Sequence, residues 1–236
     1  MVSPDIIRLS PNVNSAPMPG TTRTVIIHCT RSGVSMNPSE FEGTLNYMAT
    51  PGTTSSHWVI SREGVKARVV YDHQMAWHAA ADNDNCWGIE NEQGAEQDGF
   101  TEAQLEALLD VCSGYCLDYG VPVVHCDDSR EPGFIGHEET LQGQSYGKSD
   151  PGEYFDWDWF IEALEARMAF IAGDANGGLE KRGKQVILWN EGVEVFAWGG
   201  PDDGDTPGQM AKNFGGVWRW LLRDEDDWAL WGPKGD

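Results

Sequence analysis

The run "TVIIHCT", residues 24–30, constrains the fold more than any other stretch: β-branched and apolar residues follow one another until a histidine interrupts them near the end. That is the pattern of a buried strand, and a buried strand needs a sheet around it. "SSHWVISREGVKARVVY" (55–71) reads as two strands around a turn at Arg62-Glu63-Gly64, and "CWGIENEQ" (86–93) as another strand. Helical segments alternate with these. "NPSEFEGTLNYMA" (37–49) places Pro38 at a first helical position with acidic residues in the first turn. "FTEAQLEALLDVCSGYCLDYG" (100–120) has a capping box at Thr101 and Gln104, apolar residues at helical spacing, and Gly120 as its stop. "VPVV" (121–124) begins a short strand, and "FDWDWFIEALEARMAFIA" (155–172) is a second long helix. Strands mixed with helices predict an α/β domain, a central mixed β-sheet flanked by helices.

After Ile171 the texture changes. "AGDANGGLEKRGK" (172–184) is small, Gly-rich and charged, as a linker should be. The expected organisation is a main domain over 1–172, a linker over 173–184 and a small Trp-rich C-terminal module over 185–236. In that module "QVILWNEGVEVFAW" reads as a hairpin turning at Asn190-Glu191-Gly192, and "QMAKNFGGVWRWLLRDEDDWALW" as an amphipathic helix with a tail. Six of the eleven tryptophans lie between 189 and 231, which separates this segment from the main domain in character.

A net charge of −22 argues against nucleic acid as a partner and against anionic membrane surfaces. No apolar run approaches the roughly 20 residues that span a bilayer, so no membrane insertion is expected. "MVSPDIIRLSPNVNSAPMPG" has neither a basic n-region nor a continuous apolar h-region, so no signal peptide is expected. Five cysteines without a C-x-x-C pair suggest reduced, mostly buried thiols rather than a disulfide framework.

Chemistry concentrates in a few places. In "YGKSDPGEYFDW" (146–157), Pro151 pushes Asp150 into extended geometry, where positions i and i+2 project the same way. Lys148 and Asp150 therefore aim a cation and an anion at one place. His28 ends an apolar strand, where a polar ring must be satisfied or useful. His137 follows a glycine in "FIGHEET"; His57 lies in "SSHWVI" and His78 in "MAWHAA", while His73 and His125 read as surface or packing residues. A catalytic zinc site uses three protein ligands plus water. His28, His137 and Asp150 satisfy that count, and from spacing alone so do several other triplets. Glu90 and Glu92 share a strand face; either could be a functional carboxylate, or both could be solvated edge residues.

Taken in order, these segments resemble the type-2 zinc amidases, the N-acetylmuramoyl-L-alanine amidases, whose fold is shared with peptidoglycan recognition proteins. "VIIHCT" resembles the strand carrying the first ligand. "SSHWVISREGVKARVVYDHQMAWHAA" resembles the Ser-x-His strand through to the Ala-Trp-His segment, and "NDNCWGIENEQG" the Gly-Ile-Glu strand. "GHEET…GKSDPGEYFDW" resembles the closing Gly-His…Lys-x-Asp-Pro-Gly segment, so the likeness runs from about residue 23 to 170. Cys86 stands where the family often has serine, and "GHEET" replaces a more usual aspartate-containing continuation.

The resemblance implies Zn2+ held by His28, His137 and Asp150, with Glu90 as general base and Lys148 as oxyanion stabiliser. It implies His57, Trp77 and His78 as substrate-binding or ligand-supporting residues. It implies hydrolysis of the amide between N-acetylmuramic acid and L-alanine, with peptidoglycan as the substrate. A relative lacking a ligand would bind the wall without cutting it; here all five residues are present. Three settings fit a wall hydrolase without a signal peptide. One is a phage lysin held in the host cytoplasm until released to the wall, another a virion component, and the third a cytoplasmic enzyme recycling wall fragments. The C-terminal module leans toward a phage protein; it could dock on a virion or other protein partner, complete the core, or bind wall sugars through aromatic stacking.

Overall fold

The computed structural model describes residues 2–30, 40–93, 99–171, 178–182, 185–190 and 193–199. The chain divides into two compact units, Met1–Ile161 and Glu162–Asp236.

The first unit is built on a six-stranded mixed sheet. Its elements in chain order begin with β1 (Ile6–Ile7), β2 (Val13–Pro17), β3 (Thr24–Cys29), α1 (Glu40–Met48), β4 (Trp58–Ile60) and β5 (Lys66–Arg68). They continue with β6 (Gln74–Ala76), β7 (Cys86–Asn91), α2 (Glu102–Tyr119), β8 (Gly133–Gly136) and α3 (Leu141–Ser145), before α4 (Trp157–Ile171) crosses the boundary between units. The strand order is β1-β5-β4-β7-β3-β8, with β2 and β6 forming a separate antiparallel pair. β4, β7, β3 and β8 run parallel to one another, while β4 and β5 form the antiparallel hairpin read from residues 55–71.

Every residue of β3 is buried, as a central parallel strand covered on both faces requires. Around the sheet, Phe41, Leu45 and Met48 of α1 pack with Val59, Ala67 and Val70. Ile26, Ala79, Cys86, Cys126 and Ile135 form a second cluster. α2 starts and stops where its sequence indicates: the Thr101 side chain accepts from the Gln104 N–H, and Gly120 ends the helix at φ 68°, a left-handed conformation that glycine adopts without a Cβ clash. The Gln104 side chain does not close the expected capping box but donates to the Glu92 carbonyl. Arg68 pairs with Asp72, which also accepts from the Tyr115 and Tyr119 hydroxyls, and the guanidinium lies 3.7 Å from the Trp58 ring centroid. This network ties the end of β5 to α2.

Some expectations need correction. Residues 121–124 do not form a strand. Pro122 lacks the N–H a ladder needs and Val124 N–H turns back to the Pro122 carbonyl, so the pairing begins only at the end of this run, as an isolated parallel bridge from His125 to Phe134 of β8. The helix expected over 37–49 is α1 from residue 40; 37–39 lie outside the described residues. All five cysteines are free thiols, four of them buried.

In the second unit β9 (Gly178–Arg182), β10 (Gln185–Asn190) and β11 (Val193–Gly199) form an antiparallel meander in the order β11-β10-β9. The expected hairpin is present, with Gln185 paired to Gly199 and a register shift between Leu188 and Trp189. The segment read as a linker contains β9, which pairs along β10 from Gln185–Arg182 to Trp189–Gly178. The division between units falls inside α4, whereas the first domain was expected to reach residue 172. The helix expected near the C-terminus lies outside the described residues. Among the described residues no helix is long and apolar enough to cross a membrane.

Candidate metal centre

The parallel strands place the chemistry at their carboxyl ends, where open α/β sheets form crevices. His28 is the penultimate residue of β3, Glu90 is its register partner on β7, and His137 directly follows β8. Two backbone-directed bonds hold the His137 segment against the loop bearing Asp150. The Glu138 N–H donates to the Asp150 carbonyl, and the Glu138 carboxylate accepts from the Gly152 N–H at 2.9 Å. Glu138 of "GHEET" thus stitches the 3-10 turn that carries His137 to the loop that carries Asp150.

His28, His137 and Asp150 converge so that one ligand atom from each lies within 4.8 Å of the others. Asp150 Oδ2 stands 3.2 Å from His28 Nδ1 and 3.1 Å from His137 Nδ1. A tetrahedral ion with bonds of about 2.0–2.1 Å separates its ligand atoms by roughly 3.3 Å, so this spacing and this N,N,O donor set fit a metal ion of that kind. His28 is buried and its pKa falls to about 4, because burial opposes the charged form and outweighs the facing Asp150. The ring is therefore neutral, the state in which histidine ligates a metal.

Glu90 and Lys148 line the same cavity, of about 340 Å³, together with His28, His78, His137 and Asp150. Lys148 and Asp150 do face one space, as their i, i+2 spacing indicates. Glu90 has its pKa raised to about 8, first by burial and then by Asp150, with Lys148 acting in the opposite direction. A carboxyl poised near neutral pH both takes and gives protons readily. Glu92, its alternative on the same strand face, is spent on structure: its carboxylate accepts from the Phe41 N–H and from the Arg62 N–H. It does not line the cavity.

Of the three residues expected to support substrate, only His78 lines the cavity. His57 is fully buried, its Nδ1 accepting from the Gly88 N–H and its Nε2 donating to the Gln74 carbonyl. Burial lowers its pKa to about 4. Trp77 is half-buried, with its indole N–H on Asn14 Oδ1 at 2.8 Å. His73 stacks with exposed Tyr71, and His125 stacks on Trp157 while bonding Glu139. Sequence reading missed Glu138 as a support for the site, because its role depends on a contact fourteen residues away.

Residues 18–153 match the family described as N-acetylmuramoyl-L-alanine amidase. No curated protein sequence matches significantly. Among solved structures the chain is similar to an AmpD derivative, at 21% identity and a TM-score of 0.54, over 70% of this chain and 96% of that one. It is also similar to a mutant endolysin from Bacillus subtilis, at 18% identity and a TM-score of 0.53, over 70% and 99%. The Staphylococcus aureus hydrolase AmiA in complex with its ligand aligns at 13% identity and a TM-score of 0.54, over 73% and 87%. At these identities the likeness speaks to the fold, a mixed sheet flanked by helices.

Proposed function

The chain belongs to the N-acetylmuramoyl-L-alanine amidase family, and from that premise we propose that it is a zinc hydrolase cutting the amide between N-acetylmuramic acid and L-alanine of peptidoglycan. The observation that carries this reading is the convergence of His28, His137 and Asp150, with Glu90 and Lys148 in the same cavity.

The reaction adds water across an amide: a C–O bond forms, the C–N bond breaks, and one proton moves from water to the departing amine. His28 and His137 through Nδ1, and Asp150 through Oδ2, would hold the zinc. Bound there, zinc supplies Lewis acidity that polarises the carbonyl and acidifies water. Glu90, which lines the same cavity, takes the water's proton on its carboxylate and delivers it to the amine nitrogen. The Lys148 ammonium offsets the negative charge that grows on the carbonyl oxygen as the carbon becomes tetrahedral. Its exposure at the cavity mouth lets it reach a bound substrate. Trp77 and His57, being outside the cavity lining, are assigned to shaping the wall behind it.

A phage-lysin setting is the finer part of the proposal. It is supported by the fold shared with a Bacillus subtilis endolysin and by the sheet of β9–β11, which amide hydrolysis does not require. The module over 185–236 would then dock on a virion or other protein partner. Digestion of purified peptidoglycan tests the bond assignment. New α-amino groups on L-alanine, without new reducing sugar ends, are expected; new reducing ends alone would refute an amidase and indicate cleavage between sugars.

A further inference from the structure

Resting on the metal reading above, we propose that His78 is a positioning residue. It holds the His28 ring with its Nδ1 lone pair toward the metal, through a relay that starts at the Cys86 carbonyl.

The hydrogen bonds define the proton positions. The Cys86 carbonyl only accepts, so the His78 Nε2 at 3.1 Å carries the proton. A neutral imidazole has one N–H, which leaves His78 Nδ1 bare. That atom lies 3.0 Å from His28 Nε2 and accepts from it. The single proton of His28 therefore sits on Nε2, and its Nδ1 presents a lone pair where Asp150 Oδ2 also points.

The relay has a competitor to defeat. Left alone beside a carboxylate, a neutral His28 would favour the other tautomer, donating Nδ1–H to Asp150 in a charge-assisted bond. That arrangement joins two of the three ligands to each other and closes the site. An acceptor fixed behind Nε2 tips the ring the other way, as supporting partners of metal-bound histidines do.

The surroundings of His78 hold it to this task. Its backbone N–H and that of Ala79 both donate to Asn83 Oδ1, at 2.9 and 2.6 Å. Its ring lies edge-on to His28 with an interplanar angle of 88°. Gly88 lies against the ring so closely that a Cβ there would come within 2.6 Å of His78 Cγ and Nδ1. Glycine at 88 therefore makes room for the relay, while its own N–H is taken by His57.

The test uses the full chain, as wild type, His78→Leu, His78→Asn and Gly88→Ala. Zinc affinity is measured by competition with a chromophoric chelator, and the His28 tautomer by long-range proton–nitrogen NMR on zinc-free protein. Thermal melting checks the fold. His78→Leu should bind zinc roughly 10–100-fold more weakly and shift the His28 proton toward Nδ1. His78→Asn, whose Oδ1 stands in for Nδ1, should restore most of both. Gly88→Ala should weaken zinc binding without removing any group that bonds His28. Wild-type protein that does not bind zinc overturns the metal reading and the relay with it. Normal wild-type affinity with less than a twofold change in folded His78→Leu overturns the relay alone. So does zinc-free wild-type protein with the His28 proton on Nδ1, a readout that needs no substitution.

Discussion

His57 should make the protein acid-labile in a way that a groove residue would not. Its Nδ1 accepts from the Gly88 N–H, so a proton cannot be added there without confronting a donor, and its Nε2–H is committed to Gln74. Burial lowers its pKa from 6.5 to about 4 in the folded protein. Above pH 6.5 neither folded nor unfolded His57 is charged, and the full contribution to stability is present. As pH falls, the unfolded chain takes the proton first, and stability is lost progressively until pH reaches about 4. Between pH 7 and 5 the two pKa values imply a loss of about 2 kcal/mol from this one ring. Urea denaturation at both pH values, in a chelator that keeps the metal ligands empty, measures it. His57→Asn retains an acceptor for Gly88 but does not titrate, so its stability should fall by about 2 kcal/mol less than that of wild type. Equal falls in the two proteins would refute the burial argument and return His57 to the set of accessible groups.

Other substitutions separate the roles assigned within the site. Glu90→Gln should lower kcat by roughly 10²–10⁴-fold while leaving zinc affinity near wild type; a lost zinc affinity would make it a ligand instead. Lys148→Met should cost roughly 10²–10³-fold in kcat with a smaller change in KM, because the charge it offsets develops only in the transition state. Asp72→Ala strands the buried Arg68 and two tyrosine hydroxyls and should destabilise by about 3 kcal/mol in urea denaturation, with the metal site unaffected.

Legibility followed the scale of each interaction. β3 and β7 were readable because apolar runs announce burial, and α2 because Thr101 and Gly120 mark its ends locally. β1 and β6, of two and three residues, have no run long enough to show a period. α3, "LQGQS", is too short for apolar spacing to show and carries Gly143 at its centre, and the Thr140 side chain accepting from Gly143 N–H sets its start. β9, "GLEKR", looked like linker because its strand character comes from pairing with β10 rather than from its own side chains. The cluster of His28, His137 and Asp150 emerged from ordered motifs, since spacing alone left several triplets open. The same motifs favoured Glu90 over Glu92, but what Glu92 does instead was not readable, because it depends on the Phe41 and Arg62 amides that its carboxylate reaches. The pairing of His28 with His78 spans fifty residues and leaves no local trace.

The central claim is that zinc held by His28, His137 and Asp150 makes this chain an amidase. The most direct measurement is mass spectrometry of products released from purified peptidoglycan by chelator-stripped protein, before and after one equivalent of zinc. Free stem peptides beginning at L-alanine should appear only after zinc is returned, and none from Asp150→Asn under the same conditions. Equal release by the stripped protein, or intact muropeptides from protein shown to hold zinc, would contradict it.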